Sequence, residues 1–564
     1  MQIPVVLICL VALPITASHR SLAPPHPLRS NKQLPVDLLA QGPSSRRRAL
    51  ASSSHSHNLV IPIRWQNHAD RPLPTPADLE VVFNSREGDS RRETLAPTGS
   101  VRDVFLFNSY GRFEVTSTVL PWVNLTKTEL DASGGAYGMS ASLLEALHEA
   151  LGLVDLSDFD LSDFDLDSDG RIDMITFLHS GFMAEWGGVD CYGRVEEQRI
   201  WSHKWQIPPD LQLGDRSIFP LEMDSYIIAS AVWGKCGSTI ARVGLLSHEL
   251  CHFLGPGPSG LEDLYDTSPS QEGRGLGSYD LLSDTWGRDY TQLHPPMMSP
   301  WTKAYLGWLE PTVITANGNY TAQPSALVPS AYRIDAGFQE GEYLLIENRQ
   351  PIGFDSLLSE GGLAIYLIDE KASWQERRGF PSQPGWPSNG NHYSLALLQA
   401  DGSYDLEQGR NTGDSGDLWH SLSKQTSLGP GNHSGKHNAT VYPNTDSYQN
   451  GIITATGVII SDFSKSGETM TFRVYSPHLS EPYVRNEAMP RADHVLDEIE
   501  DNQSVGVADV EEESIGIEPT LPDITFDDNI DSPGTVDDTS SGASVGSLSS
   551  IVLSLFIAAT IPSI

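Results

Sequence analysis

Basic residues are scarce in this chain. Its 564 residues include 36 Lys and Arg against 73 Asp and Glu, which gives a formal net charge of −37 at pH 7. A surface with this charge repels a phosphate backbone, so the composition excludes a nucleic-acid partner and favours solubility. A Gly-rich nucleotide-binding loop and internal repeats are also missing from the sequence. The length and a hydrophobic content of 39% are sufficient for two or three globular domains.

Cysteine is rare as well, with four residues in the whole chain, and this excludes a disulfide-rich scaffold. Cys9 lies in the apolar N-terminal segment, which is expected to be removed. Cys191 and Cys236 are predicted to form one disulfide in an oxidising compartment. Cys251 is then left as a buried thiol.

The N-terminal residues lack the basic side chains that usually begin a secretory signal peptide. Residues 1–17 otherwise have its pattern, because an apolar stretch precedes the small-residue site at residues 15–17. Residues 18–55 are rich in Pro, Ser and Arg and are predicted to be a disordered pro-segment or linker. The Arg triplet at residues 46–48 fits either a processing site or an exposed basic patch.

Residues 492–564 contain no Lys or Arg. Their low hydrophobicity and one-sided charge predict an acidic disordered stalk over residues 477–545. Small residues, a short spacer and the apolar residues 551–561 follow, which is the order of a signal for a glycosylphosphatidylinositol anchor in a tail at 546–564. The tail is shorter than the ~20 residues of a membrane-spanning helix; the alternative is a hydrophobic terminus without a role. Sequons that fit a secretory route are Asn124, Asn319, Asn432, Asn438 and Asn502.

The strongest chemical signal is the motif His248-Glu249-x-x-His252. Residues four apart lie on one face of a helix, so two neutral imidazoles can bind one zinc ion while Glu249 serves as a base. Apolar residues near a 3.6-residue period predict the helix, and Gly255 followed by Pro predicts its end. The alternative is a buried helix whose histidines only satisfy hydrogen bonds.

A catalytic zinc site needs a third protein ligand and a position left to water. Gly255 permits a sharp turn that returns the chain beneath the metal. Pro258 stands where the third ligand of many zincins falls, and it cannot coordinate. The next carboxylates are Glu262, Asp263 and Asp266. Either Asp263 or Glu262 is chemically suitable, and a solvated loop carboxylate is the alternative interpretation of Asp263.

A carboxylate-dense loop, Asp165-x-Asp167-x-Asp169-Gly-x-Ile-Asp173, precedes the motif. Oxygen ligands at alternate positions and a Gly turn favour Ca²⁺, and an acidic turn is the alternative. The twelfth loop position is Thr176 and not the Glu of an EF-hand. A second oxygen-rich cluster fits calcium and plain turn chemistry equally: Asp401, Asp405, Asp414 and Asp417.

The pattern between the ends predicts an α+β protein with two folded parts. Residues 56–310 alternate strand and helix signals, among them strands near 59–64, 113–120 and 174–178 and a helix at 140–151. Residues 311–476 carry short apolar runs between Gly, Pro and Asn turns. That pattern is typical of an antiparallel, β-sandwich-like domain.

Several segments in order resemble the immune-inhibitor-A family of secreted metallopeptidases. They are residues 99–111, the Asp-rich loop, residues 200–205 and 248–266, and in the β-rich part residues 343–350, 361–369 and 398–402. The resemblance implies a zincin-type catalytic domain and Asp263 as third ligand, although an insertion near residues 257–262 displaces it. It also implies an apolar floor under the metal, where Leu281 and Leu282 replace the family's methionine.

We therefore expect a secreted or surface-anchored zinc endopeptidase that hydrolyses protein or peptide substrates, with Glu249 as general base. Calcium is a second expected ion, and the outer membrane leaflet is an expected partner through the lipid anchor. Tyr279, Tyr290 and His294 are candidates for stabilising the oxyanion. The alternative is a non-catalytic, metal-stabilised cell-surface adhesion protein.

Overall fold

The structure, a computed structural model, describes residues 54–208, 211–255, 260–267, 273–372, 379–380, 383–389, 392–431 and 442–481. All of them lie in one compact unit, Met1–Arg485. The segments predicted to be the signal peptide, nearly all of the linker, the stalk beyond residue 481 and the anchor tail lie outside these residues, so these assignments stay predictions. Within the described ranges, none of the helices has the length and apolar character needed to cross a membrane.

A six-stranded sheet forms the centre of the N-terminal region. Its strands are β1 (His55–Arg64), β2 (Glu114–Val119), β3 (Val123–Asn124), β4 (Met174–His179), β5 (His203–Gln206) and β6 (Ser225–Ser230). The order is β2-β1-β4-β6-β5, and β3 also pairs with β1. The pairs along this order are parallel except β5, which runs antiparallel to β6 at the edge. The central strands β1, β4 and β6 are rich in apolar residues and are buried on both faces along most of their length.

Helices cover both faces of this sheet. They are α1 (Pro76–Asn84), α2 (Arg92–Leu95), α3 (Val101–Asn108), α4 (Glu129–Ser133), α5 (Ala141–Leu151), α6 (Val243–Cys251) and α7 (Pro300–Tyr305). One apolar core joins the sheet to α5, and the other joins it to α1, α3 and α6. Side chains alternate along the strands, so Leu59 faces the first core and Val60 the second. The helix that carries His248 is therefore packed on a rigid sheet.

Residues 312–475 form two smaller sheets. The strands are β7 (Thr312–Val313), β8 (Gly318–Ala322), β9 (Tyr332–Ile334), β10 (Glu342–Arg349), β11 (Gly362–Asp369), β12 (Leu395–Leu397), β13 (Ile459–Ser461) and β14 (Met470–Tyr475). Their orders are β12-β11-β10-β9-β7 and β13-β14-β8. The prediction of purely antiparallel pairing is wrong at one place, because β7 pairs with β9 in parallel. The remaining pairs between these strands are antiparallel.

The long strand β10 connects the β-rich region to the core beneath α6. Tyr343 and Leu345 belong to the core that includes α6. Leu344 and Ile346, on the opposite face, belong to a separate core that draws on both small sheets. The α+β class is thus confirmed, and the β-rich region shares an apolar core with the region that carries the motif.

The cysteine prediction agrees with the structure. Cys191 and Cys236 form a disulfide with a Cα–Cα distance of 5.4 Å, and Cys251 is a free, buried thiol. The disulfide joins the chain that follows β4 to the chain that follows β6. Two predicted sequons, Asn124 and Asn319, are exposed, and the other three lie outside the described residues.

Candidate metal centre

His248 in α6 and His252, the residue that caps its C-terminal end in helical conformation, face the same side, as their four-residue spacing requires. Leu246 and Leu250 hold the opposite side in the apolar core. The helix ends before Gly255, whose φ of 103° favours glycine. After this turn the amide of Leu261 donates to the carbonyl of Leu254 at 2.7 Å. The chain therefore returns toward the two histidines just before Asp263.

Three donor atoms meet beside α6. The Nε2 atoms of His248 and His252 are 3.2 Å apart. Asp263 Oδ1 lies 3.1 Å from the first and 3.5 Å from the second. Tetrahedral ligands at zinc bond lengths of about 2.0–2.1 Å stand roughly 3.3–3.4 Å from one another. The three separations match this geometry without any rearrangement.

The other nitrogen of each imidazole is already committed. Nδ1 of His248 donates to the carbonyl of Leu281 at 2.9 Å, and Nδ1 of His252 donates to the carbonyl of Leu261 at 2.7 Å. In the neutral rings these bonds place the proton on Nδ1 and the lone pair on Nε2. Asp263 Oδ1 is buried and has no hydrogen-bond partner among the described residues other than the two imidazoles, whose Nε2 atoms lie 3.1 and 3.5 Å away. When both imidazoles are neutral, three lone pairs face one another, so the donor set fits a bound cation such as zinc.

Charge in the site favours a cation as well. Burial lowers the pKa of His248, but the hydrogen bond and charge of Asp263 outweigh burial and raise that pKa to about 9. Burial raises the pKa of Asp263, and the two histidines outweigh it, so the net shift is downward. The carboxylate stays ionised and attracts positive charge to the point between the rings.

Glu249 is buried, with 4% of its surface exposed. Burial is the main cause that raises its pKa to about 7, and the charges of Asp263 and Glu185 act in the same direction. The histidines act against this shift. A carboxyl with a pKa near neutrality can exchange protons readily at neutral pH.

The structure separates the two carboxylates that the sequence left open. Asp263 joins the histidines, whereas Glu262 is exposed and outside the group. Asp266 is buried and accepts from the amide of Gly273 at 3.3 Å. The geometry therefore favours Asp263, as the resemblance implies.

Two further polar residues beside the centre were not predicted. Glu185 follows β4, and its Oε1 accepts from the amide of Ser202 at 2.5 Å. Burial raises the pKa of Tyr265 well above its ordinary value, and the charges of Asp263 and Glu249 act in the same direction. Tyr265 lies two residues after Asp263, so proximity in sequence was the available signal. Glu185 has no such signal, because it lies more than sixty residues before the motif.

The predicted oxyanion candidates lie elsewhere or are engaged. The hydroxyl of Tyr279 donates toward the carbonyl of Asp414 and toward Asp417, at 3.1 Å in each case. Nδ1 of His294 is 3.0 Å from Asp289. Tyr290 is 44% exposed. Tyr265 is the better-placed hydroxyl, because it interacts electrostatically with Asp263 and Glu249.

The floor beneath the centre is apolar, as expected. Leu281 and Leu282 are fully buried. The carbonyl of Leu281 accepts from His248, and the carbonyl of Leu282 accepts from the amide of Leu264 at 3.0 Å. The backbone carbonyls of these two leucines thus bind His248 and the residue after Asp263. These contacts do not depend on the leucine side chains.

The two acidic clusters also come together, but in a different way. Asp165, Asp167 and Asp169 form one group, and Asp401, Asp405 and Asp414 form the other. Asp173 does not join the first group; its Oδ2 accepts from the amide of Leu166 at 2.8 Å. Asp417 bonds to Tyr279 instead of joining the second group. Calcium at either cluster stays a prediction.

Comparison with known proteins points to one family. Residues 85–309 match the catalytic domain of the immune inhibitor A peptidases, M6. The chain has an immune-inhibitor-A-type metallopeptidase domain. An "Immune inhibitor A" from Bacillus thuringiensis subsp. alesti is 27% identical to this chain over 224 residues. The match covers 35% of this chain and 30% of that relative, so the chain spans less than a third of the relative's length. The predicted family is confirmed.

Proposed function

We propose that the protein is a zinc-dependent endopeptidase that cleaves peptide bonds at the centre formed by His248, His252 and Asp263. The observation that supports this most is the mutual spacing of 3.1–3.5 Å between three donor atoms. Zinc held there would polarise the scissile carbonyl and lower the pKa of a water. The M6 match supports a metallopeptidase, and the donor set supports zinc in particular.

Glu249 is the general base in this proposal. It lies next to His248 on α6, and its buried carboxyl has a pKa near neutrality. It takes a proton from the attacking water and then delivers it to the leaving amine nitrogen. Both transfers need a carboxyl that is held in one place. The helix α6 holds Glu249 in place because it packs on the central sheet.

The test is a mixed peptide library incubated with the whole protein. Cleavage should stop when a chelator removes the metal and return when zinc is added. Cleavage products inside the peptides, and not only at their ends, would show an endopeptidase. Activity that is unaffected by chelation would contradict a metal-dependent reaction.

The alternative is a non-catalytic adhesion protein that uses the metal only for folding. A structural zinc site is closed by four protein ligands and needs no base beside it. Here three donors come together and a buried Glu249 stands next to one of them. Bound zinc without any hydrolysis in the library would favour the adhesion protein.

We further propose that the protein is secreted. The disulfide between Cys191 and Cys236 supports passage through an oxidising compartment. The lipid anchor stays a prediction. If the anchor is present, a phospholipase specific for phosphatidylinositol should release the protein from the cell surface. Mature protein that still ends at Ile564 would contradict the anchor.

A further inference from the structure

Residues 279–282, termed here the floor segment, bind His248 and the backbone next to Asp263, two of the three residues predicted to hold the metal. The carbonyl of Leu281 orients His248, and the carbonyl of Leu282 binds the amide of Leu264, next to Asp263. A displacement of this segment would therefore move one imidazole and one carboxylate together. What holds the floor segment in place thus acts on the donor set.

Arg349, the last residue of β10, binds the floor segment from the β-rich region. Its Nη1 donates to the carbonyl of Tyr279 at 2.7 Å, and its Nη2 donates to the carbonyl of Met297 at 2.8 Å. Asp280 and Ser299 link the same two stretches, because Asp280 Oδ2 accepts from the amide of Ser299 at 2.7 Å. The planar guanidinium thereby joins the floor segment to the stretch at residues 297–299 and fixes the distance between them.

The guanidinium has little freedom to move. Arg349 is 2% exposed, and its Nε lies 2.8 Å from Asp355. Glu347 lies 3.3 Å from Nη1 and accepts from the hydroxyl of Tyr366 at 2.6 Å. Two buried carboxylates thus balance the charge of the buried guanidinium. Each additional hydrogen bond restricts the orientation of the guanidinium.

We propose that Arg349 is a positioning residue for the metal centre. Through the carbonyl of Tyr279 it holds the floor segment, and through the carbonyl of Leu281 it sets the ring of His248. The inference rests on the proposed function and extends it, because a residue of the β-rich region then contributes to metal affinity. The β-rich region is in this sense a part of the catalytic apparatus.

The test compares two variants of the whole protein. Arg349→Lys keeps the charge but cannot reproduce the planar fork. Leu344→Ala lies on the same strand and faces the separate β-rich core, so it lowers stability without touching the floor segment. Zinc affinity is measured by competition with a chromogenic chelator, thermal unfolding is recorded, and the visible spectrum of the Co²⁺-substituted protein reports the ligand geometry.

Arg349→Lys should weaken zinc binding by up to about tenfold, the lower end of the loss when a direct outer contact to a ligand is removed, because Arg349 acts on His248 only through the floor segment. It should also alter the Co²⁺ spectrum. Leu344→Ala should lower the Tm but leave both metal measurements at wild-type values. Equal zinc affinity in Arg349→Lys and wild type would overturn the inference. So would an equal loss of affinity in both variants, since that would indicate general destabilisation.

A milder variant keeps the test decisive if Arg349→Lys does not fold. Glu347→Gln removes one of the two anions that hold the guanidinium and keeps the side-chain shape. It should weaken zinc binding in the same direction, and unchanged binding would contradict the inference. Wild-type protein that binds zinc but cleaves no peptide would end the proposed function alone. Wild-type protein that binds no zinc would end both.

Discussion

The His248 centre and the loop at residues 165–173 were both predicted as metal sites, and both bring acidic or imidazole groups together. They differ in what the groups already bind. In the loop, Asp165 accepts from the amides of Asp169 and Gly170 at 3.0 and 2.9 Å, as in ordinary turns. In the centre, Asp263 Oδ1 has no hydrogen-bond partner among the described residues other than the two imidazoles, whose Nε2 atoms lie 3.1 and 3.5 Å away. Proximity alone is thus weak evidence for a metal, and buried donor atoms that have only one another as partners are stronger evidence.

The largest effect is expected from removing the base. Glu249→Gln keeps the shape of the side chain but cannot take a proton, so kcat should fall by about 10²–10⁴ while zinc stays bound. The matched change in the loop, Asp167→Asn, should leave kcat unchanged. Initial rates on one cleavable peptide, with zinc content measured in each variant, check both. Wild-type rates in Glu249→Gln would contradict its role.

The next effect separates two neighbouring acids. Asp263→Asn removes the anion of the donor set, and we expect zinc affinity to fall by roughly 100-fold or more. Glu262→Gln is the control, because Glu262 is exposed and outside the group. Competition with a chelator gives both affinities. A larger loss of zinc affinity in Glu262→Gln than in Asp263→Asn would show that Glu262, and not Asp263, is the third ligand.

Metal removal should act on stability as well as on catalysis. A ligand that binds only the folded state at a hundred times its Kd stabilises that state by about 2.7 kcal/mol. Chelation should therefore lower the Tm, and zinc should restore it. If calcium restores the Tm and zinc does not, the bound metal is at an acidic loop and not at the His248 centre, which would contradict the account. The Asp263→Asn variant, which lacks one zinc donor, should show little response to zinc.

The smallest expected effect belongs to the loop. Asp165→Asn can accept one of the two amide bonds that Asp165 accepts, so the free energy of unfolding should fall by about 1 kcal/mol. Urea unfolding without calcium measures this loss. A clear rise in wild-type stability on adding calcium, absent in the variant, would show that the loop is a cation site and would break the contrast drawn above.

The sequence was informative where the chemistry is local. Two histidines four apart, the apolar period and Gly255 predicted α6 and its end, because each signal lies within a dozen residues. The strands were predicted from branched apolar runs, and most lie close to the predicted positions. Asp263 could be preferred over Glu262 only by resemblance, since an aspartate and a glutamate in a loop offer equal chemistry.

The rest depends on contacts that no local pattern encodes. The carbonyls of Leu281 and Leu261 orient the imidazoles, and every residue has a carbonyl, so no side-chain signal marks these two. Arg349 reaches the floor segment from seventy residues downstream, in a region predicted to be a separate domain. The parallel pairing of β7 with β9 involves a strand of two residues, which is too short for a recognisable period.

The most direct test of the account is a crystal structure of the zinc-loaded protein with anomalous data on both sides of the zinc edge. We predict one strong zinc peak within about 2.0–2.2 Å of Nε2 of His248, Nε2 of His252 and Oδ1 of Asp263. We predict no zinc peak among Asp165, Asp167 and Asp169. A peak in the loop, with the space between the two imidazoles lacking one, would contradict the assignment of the catalytic centre.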